Sequence, residues 1–395
     1  MKFEHADEIP AGSVLSADIC VIGSGAAGIT LAQQLDRSKL RVLVLEAGGL
    51  EQDPATEAEC FEIDHLGTPY GNPIATRGRW FGGSTNLWFG RIAMLDPIDL
   101  ETRPWLKHSG WPISYAELTR WTPRAAEILA VPHFDKLQLA NWPTNPTIDT
   151  FARAGGANLG VFLWADGLYM GKQHRSALQA SPNVRLLLDS TVTELLPNEG
   201  STSIDEVTVR GRNGNRFMVK AGTYVLAAGG LENARLLLAS TSRAASGIGN
   251  ANDLVGRYYM DHPRGEGLAR VDLKGLASKQ LERLSLLGEK SRSQFGKVQL
   301  RLTFPAQMQR DEELLNHSLH AHLISGVHDS PGYAAARRLL ARVRRKASDA
   351  GTSVRDDLRA TLRGTPLLAE YAARKLLDAV RPSELIVIDQ MEQEP

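Results

Sequence analysis

The chain is poor in cysteine, with only Cys20 and Cys60 among 395 residues. So few cysteines make no disulfide framework, and the expected compartment is a reducing one, the cytoplasm. Cys20 lies in the apolar run ICVI and reads as a small buried core residue. Net charge is also absent, because 45 Lys and Arg balance 45 Asp and Glu. No global field therefore points to nucleic acid or to an anionic membrane. No apolar run approaches about 18 residues, so no transmembrane helix is expected. The opening MKFEHADEIPAGSVLSADI carries acids and no long apolar centre, unlike a signal peptide. No repeat with a period of about 20–50 residues is visible. With 43% hydrophobic and 23% charged residues, the composition is that of an ordinary globular protein. At roughly 100–200 residues per domain, the length suggests two or three domains.

The first element with chemical content is ADICVIGSGAAGITLAQQLDRSKLRVLVLEAGG. It reads as an apolar strand over 19–22, a glycine turn, a helix over 29–35 and a second apolar strand over 41–45. Strand, turn, helix and strand make a βαβ unit, and continuous apolar strands suit a parallel sheet buried on both faces. Gly23, Gly25 and Gly28 form G-x-G-x-x-G. The first glycine permits the turn, the second lets a pyrophosphate approach the backbone, and the third lets helix and strand pack closely. The helix N-terminus offers free N–H groups to phosphate. Glu46 ends the second strand, where an acid can accept hydrogen bonds from a ribose hydroxyl. Dinucleotide binding follows, and the unit alone leaves FAD and NAD both open.

Two further stretches are rich in small residues. RGRWFGGSTNLWFGR, residues 77–91, places Gly82, Gly83, Ser84, Thr85 and Asn86 together, which suits backbone lying against a cofactor ring or phosphate. TYVLAAGGLENARLLLAS again runs strand, small residues and helix, with Glu232 and Asn233 as polar candidates. Other expected elements are a helix over 115–129, strands over 183–196 and 206–210, and a turn at 212–215 leading to a strand over 216–219. A separate strand is expected over 224–228. Residues 297–304 and 318–325 alternate with period two, as antiparallel strands with one covered face do. Residues 331–380 read as basic helices, with Arg337, Arg338, Arg342, Arg344, Arg345 and Lys346 clustered. A solvated face is the first reading of that cluster, and a peripheral membrane or acidic partner the second.

Together these stretches resemble the glucose-methanol-choline (GMC) family of FAD-dependent oxidoreductases, from about Ser16 to Pro263 and more faintly beyond. VIGSGAAG with VLVLEAGG resembles the family's FAD-binding βαβ unit, and GRWFGGSTNLWFGR its second motif beside the flavin. STVTEL resembles the adenine-flanking strand, with Val192 as a backbone contact. VLAAGGLENARLLLAS resembles a later signature, and DLVGRYYMDHP at 253–263 the family's aspartate-histidine-proline stretch. The SGWPIS segment is similar to the branch that oxidises sugars and polyols.

The resemblance implies an α/β fold. A Rossmann-like FAD domain with a parallel sheet would come from residues 1–90 and 184–263. An α+β substrate domain with an antiparallel sheet would come from 91–183 and 264–395. It also implies Gly23, Gly25, Ala26, Ala27, Gly28, Glu46, Ala47, Arg77, Gly82, Gly83, Ser84, Asn86, Leu87, Val192, Ala228, Gly229 and Asn233 as cofactor-binding residues. The implied reaction is alcohol oxidation on a sugar, polyol or related small molecule, with hydride passing to flavin N5 and electrons leaving to an acceptor the motifs do not name. Some family members hold FAD covalently through a histidine in the second motif. None stands between Arg77 and Arg91, so noncovalent FAD is expected.

The family's base is a histidine paired with histidine or asparagine in a C-terminal segment, and nothing after Met260 resembles it. The expectation is therefore an N-terminal fragment, with LIVIDQMEQEP starting a new sheet strand, Pro395 a cut, and an incomplete sheet inclined to aggregate. Of the ten histidines, His262 belongs to the aspartate-histidine-proline stretch, His320 and His322 share a strand face, and His108 and His174 read as loop residues. None is assigned as catalytic, and no metal site is expected. An NAD(P)-linked dehydrogenase and a nucleotide-binding pseudoenzyme are the competing readings.

Overall fold

The computed structural model describes residues 3–64, 66, 76–88, 90–132, 150, 152–165, 169–261, 264–272, 291–293, 296–324, 331–343, 353–365 and 384–391. The fold is α/β, with a mixed, largely parallel Rossmann-like sheet and a second, antiparallel sheet. The first has the order β1-β6-β3-β2-β9-β8-β7. Its strands are β1 (Glu4–His5), β2 (Val14–Ile22), β3 (Val42–Leu45), β6 (Val184–Leu188), β7 (Thr191–Pro197), β8 (Ile204–Arg210) and β9 (Arg216–Leu226). The second runs β10-β14-β13-β12-β5-β4, with β11 paired to β12. Its strands are β4 (Arg91–Ile92), β5 (Asn158–Trp164), β10 (Arg264–Asp272), β11 (Ser291–Ser293), β12 (Gly296–Thr303), β13 (His317–Ile324) and β14 (Glu384–Met391).

β3 is VLVL and buried at every position, because parallel neighbours cover its edges and packed layers cover both faces. Val42 and Val44 enter one core with Val21, Val184 and Leu186, while Leu43 and Leu45 enter another with Cys20, Ile22 and Leu187. The first of these cores also holds Val161 and Leu163 of β5 and Val298, Leu300 and Leu302 of β12, so the two sheets share it. Cys20 is a core residue whose thiol burial pushes up to about 12.

Several elements differ from the sequence expectation. Residues 216–219 and 224–226 belong to one strand, β9, rather than two, and that strand ends at Leu226 instead of reaching 228. Its first half pairs antiparallel with β8, and parallel pairing to β2 runs from Met218 to Leu226. The polar middle of β9 reads as a break in sequence, yet β2 holds it extended. The expected helix over 115–129 is two, Tyr115–Thr119 and Thr122–Ile128. Pro123 has no N–H to give to a preceding turn and is tolerated only in the first turn of a new helix. His174 lies inside the helix Met170–Gln179 rather than in a loop. The strand expected at LIVIDQMEQEP is β14, which pairs with β10 on one side and β13 on the other. His262 and residues 344–352 and 366–380 lie outside the described residues. No helix among the described residues is long and apolar enough to cross a membrane.

Within 331–380 the described helices are Pro331–Val343 and Val354–Arg363. They pack closely where Gly332 meets Gly364, since a Cβ on Gly332 would lie 2.7 Å from Gly364 Cα. Arg338 Nε and Nη2 donate to Asp357 Oδ1 at 2.8 and 2.6 Å, with the Asp357 side chain 1% exposed and Arg338 34%. Asp357→Ala should lower stability by roughly 1–2 kcal/mol, less than for a fully buried pair because Arg338 stays partly in water. Urea unfolding checks this, and an unchanged midpoint would show that the pair does not hold the two helices.

Candidate functional site

Three turns at the ends of β2, β3 and β9 meet the 77–87 segment. β2 ends at Ile22, and Gly23 turns the chain with φ 102°. A Cβ there would lie 2.6 Å from Ala227 O, so the first turn and the β9 turn are in direct contact. A Cβ on Gly28 would lie 2.0 Å from Gly23 O, which is why the helix Ala26–Gln34 can pack onto its own turn only through glycine. Gly25 is the helix N-cap and has no capping side chain. Ala26 and Ala27 follow, both exposed, with the first-turn N–H groups at the open end.

Glu46 was expected to face a ribose. It is 5% exposed, and the protein already uses both its oxygens. Ser24 N–H and Ser24 Oγ–H donate to Oε2 at 3.0 and 2.5 Å, and Gly48 N–H donates to Oε1 at 2.9 Å. Burial raises its pKa against the opposing pull of these three bonds and the Arg79 charge. Glu46 thus ties the first turn to the end of β3, beside half-buried Ala47. Ser190 N–H donates to Glu46 O at 2.8 Å and Asp189 N–H to Gly48 O at 3.0 Å, which brings the start of β7 alongside. Val192 is buried on that edge strand, next to a register shift between Val192 and Glu194.

The second stretch crosses over the first. Gly82 (φ 103°) and Gly83 (φ 55°) lead a 3-10 turn over Gly83–Asn86. Gly82 N–H donates to Ser24 O at 3.1 Å, and a Cβ on Gly83 would lie 3.0 Å from Gly25 Cα. Asn86 Nδ2 donates to Phe81 O at 3.0 Å, so this side chain braces its own turn. Ser84 is exposed and Leu87 half-buried. Arg77 is ion-paired with Glu232 of the third stretch, its guanidinium 4.5 Å from the centre of the Phe61 ring.

In the third stretch Ala227 N–H donates to Ile22 O at 2.7 Å. Asn233 Oδ1 accepts from Ala228 N–H at 3.0 Å, so Asn233 holds the turn shape and presents the backbone rather than itself. Ala228, Gly229 (φ 89°) and Gly230 are exposed, and Gly229 is the N-cap of the helix Gly230–Ala239. Gly171 was not foreseen. At the start of its helix, a Cβ would lie 2.3 Å from Phe81 O, so it lets that helix abut the second stretch. A lone glycine in YMGKQH gives no periodic signal, and only the tertiary contact explains it.

The residues present fit a dinucleotide. Gly25, Ala26, Ala27, Ala228, Gly229 and Gly230 form a floor of small residues whose backbone can be approached. A Cβ on Gly25 would meet only Ala227 O, at 3.9 Å, and one on Gly229 or Gly230 nothing within 4 Å. Two of the described histidines, His174 and His108, are engaged elsewhere. His174 is buried, its ring nitrogens bonded to Gln33 Nε2 at 2.5 Å and Ile128 O at 3.1 Å, and burial lowers its pKa. His108 packs against Tyr258, their ring centres 4.3 Å apart and their planes tilted by 46°.

Comparison with known proteins agrees with this geometry. Residues 21–65 match the family model of an NAD(P)-binding Rossmann-like domain. The fructose dehydrogenase large subunit of Gluconobacter japonicus is 33% identical over 89 residues, 22% of this chain and 16% of that protein. The 6'''-hydroxyparomomycin C oxidase of Streptomyces lividus is 26% identical over 311 residues, 64% of this chain and 56% of that protein. The chain thus spans about half the length or less of these curated relatives. Among solved structures, a formate oxidase is similar over 97% of this chain and 73% of its own, with TM-score 0.47 and 14% identity. Pyridoxine 4-oxidase from Mesorbium loti covers 57% of this chain and 52% of its own, with TM-score 0.37 and 23% identity. In its motifs and their order the chain is similar to the glucose-methanol-choline-type FAD oxidoreductases.

Proposed function

We propose that the chain binds FAD noncovalently and serves the oxidation of an alcohol group on a sugar, polyol or related small molecule. The observation that carries this reading is the meeting of three glycine-rich stretches, with Gly83 against Gly25 and Gly23 against Ala227. When bound, FAD supplies an acceptor for hydride from a carbon bearing a hydroxyl, whose proton goes to a base. The open helix end at Gly25–Ala27 would hold the pyrophosphate through N–H groups, and the Gly82–Leu87 turn would lie along the ring. Glu46 would act mainly by fixing the Ser24 turn. Arg77 and Glu232, paired across two stretches, would hold the site's walls at a set spacing. Residues 1–90 and 184–263 form the cofactor unit on this reading, and the second sheet forms the substrate wall.

The same βαβ unit serves NAD enzymes, and the matched family model covers only that unit. FAD is favoured because the parallel sheet does not continue after β3. The chain first builds β4 and β5 of the other sheet and returns only at β6. Purified protein should be yellow, and acid precipitation should release the flavin to the supernatant. Flavin left in the pellet would refute the noncovalent attachment. Tight NAD(P) binding by colourless protein that takes up no added FAD would overturn the cofactor assignment.

A further inference from the structure

The helix Val354–Arg363 carries a pattern that the oxidoreductase reading does not use. Val354, Leu358 and Leu362 are 53%, 49% and 70% exposed. They are spaced four apart and so lie along one side of the helix. Arg355, Arg359 and Arg363, each one residue further on, form a second exposed row beside the first. The opposite side is committed to the neighbouring helix, through buried Asp357 on Arg338 and the Gly332–Gly364 contact. The apolar row therefore cannot turn inward without breaking that packing. The one acid on the outer side, Asp356, accepts from Ser353 Oγ–H at 2.7 Å in the N-cap. The neighbouring helix adds exposed Arg337 and Leu340.

We propose that this helix docks in the plane of an anionic lipid surface, with Val354, Leu358 and Leu362 entering the headgroup boundary and Arg355, Arg359 and Arg363 meeting lipid phosphates. An apolar row flanked by arginines is the pattern of an interfacial helix. A second copy of the chain fits less well, because an antiparallel two-fold contact along the apolar row would set the arginine rows side by side. The chain's overall neutrality does not oppose the proposal, since lipid attraction acts within a Debye length of the local charges.

The test is co-flotation of the FAD-loaded chain with phosphatidylcholine vesicles, with and without phosphatidylglycerol. The chain should float with the anionic vesicles and not the neutral ones, and salt should weaken the binding. Each arginine is expected to contribute roughly fivefold to the partition coefficient, so reversing all three to Glu should lower it more than about a hundredfold. Leu358→Gln with Leu362→Gln should lower it as well, with retained flavin as the check on folding. Three outcomes would overturn the proposal. They are no binding to anionic vesicles, unchanged binding by the double Gln variant, and a concentration-dependent dimer that this variant dissolves.

Discussion

A Gly25→Ala variant should fold like the parent and fail to hold flavin, while Gly28→Ala should fail to fold. The two glycines stand three residues apart in one motif, yet their surroundings are opposite. At Gly25 a Cβ meets only Ala227 O at 3.9 Å, and its φ of −73° suits any residue. Alanine there should cost stability about 1 kcal/mol or less, through poorer N-capping. The new methyl group would nevertheless stand where the floor is open to a pyrophosphate. A rise in flavin Kd of roughly a hundredfold, about 2.8 kcal/mol, is expected. At Gly28 the Cβ would lie 2.0 Å from Gly23 O and 3.5 Å from Val21 Cγ1, inside the βαβ unit. Backbone cannot swing aside as a side chain can, so the cost should exceed the roughly 1–3 kcal/mol usual for overpacking. Circular dichroism melts and flavin titration check both. Undiminished flavin affinity in Gly25→Ala would sink the assignment of this turn to the cofactor.

Glu46→Ala should be the most damaging polar substitution in the first sheet. It strips the acceptor from Ser24 N–H, Ser24 Oγ–H and Gly48 N–H at once, and all three are buried. Unsatisfied buried donors make a loss of roughly 3–5 kcal/mol reasonable. The pH dependence has a definite sign. Burial raises the folded-state pKa above the ordinary 4.5, so the folded apoprotein holds this proton more tightly than the unfolded chain. The resulting stabilisation is complete below 4.5 and is lost as pH rises through the raised folded value. Glu46→Gln should remove that fall. Urea unfolding of the apoproteins across the acid-to-neutral range measures the difference, and parallel profiles would show that Glu46 does not titrate in that range.

The glycine turn, the buried parallel strands and the period-two strands of the second sheet were legible because each rests on local pattern. Gly28 has a steric reason within the βαβ unit itself, and Gly23 a local one in its positive φ of 102°. Other features were hidden because their reason lies far away in sequence. Arg77 was expected to touch the cofactor, and its nearest charged partner is Glu232. Glu46 was read as a ligand-facing acid, and its bonds to Ser24 and Gly48 within the protein were not foreseen. Gly171 carried no signal until Phe81 O was found against it. β9 seemed broken at its polar middle because propensity ignores the neighbour, β2, that holds it straight.

The place of β14 has a consequence for the order in which the molecule forms. Among the described residues, β10 and β13 are joined only through it, and β14 lies on the order of a hundred residues after β10. The described strands of the first sheet all lie at or before Leu226. During synthesis the glycine turns can therefore assemble while β10 still waits without a partner. Closure of the second sheet is a late, non-local event, and refolding should show a fast phase for the first sheet and a slow phase for the second.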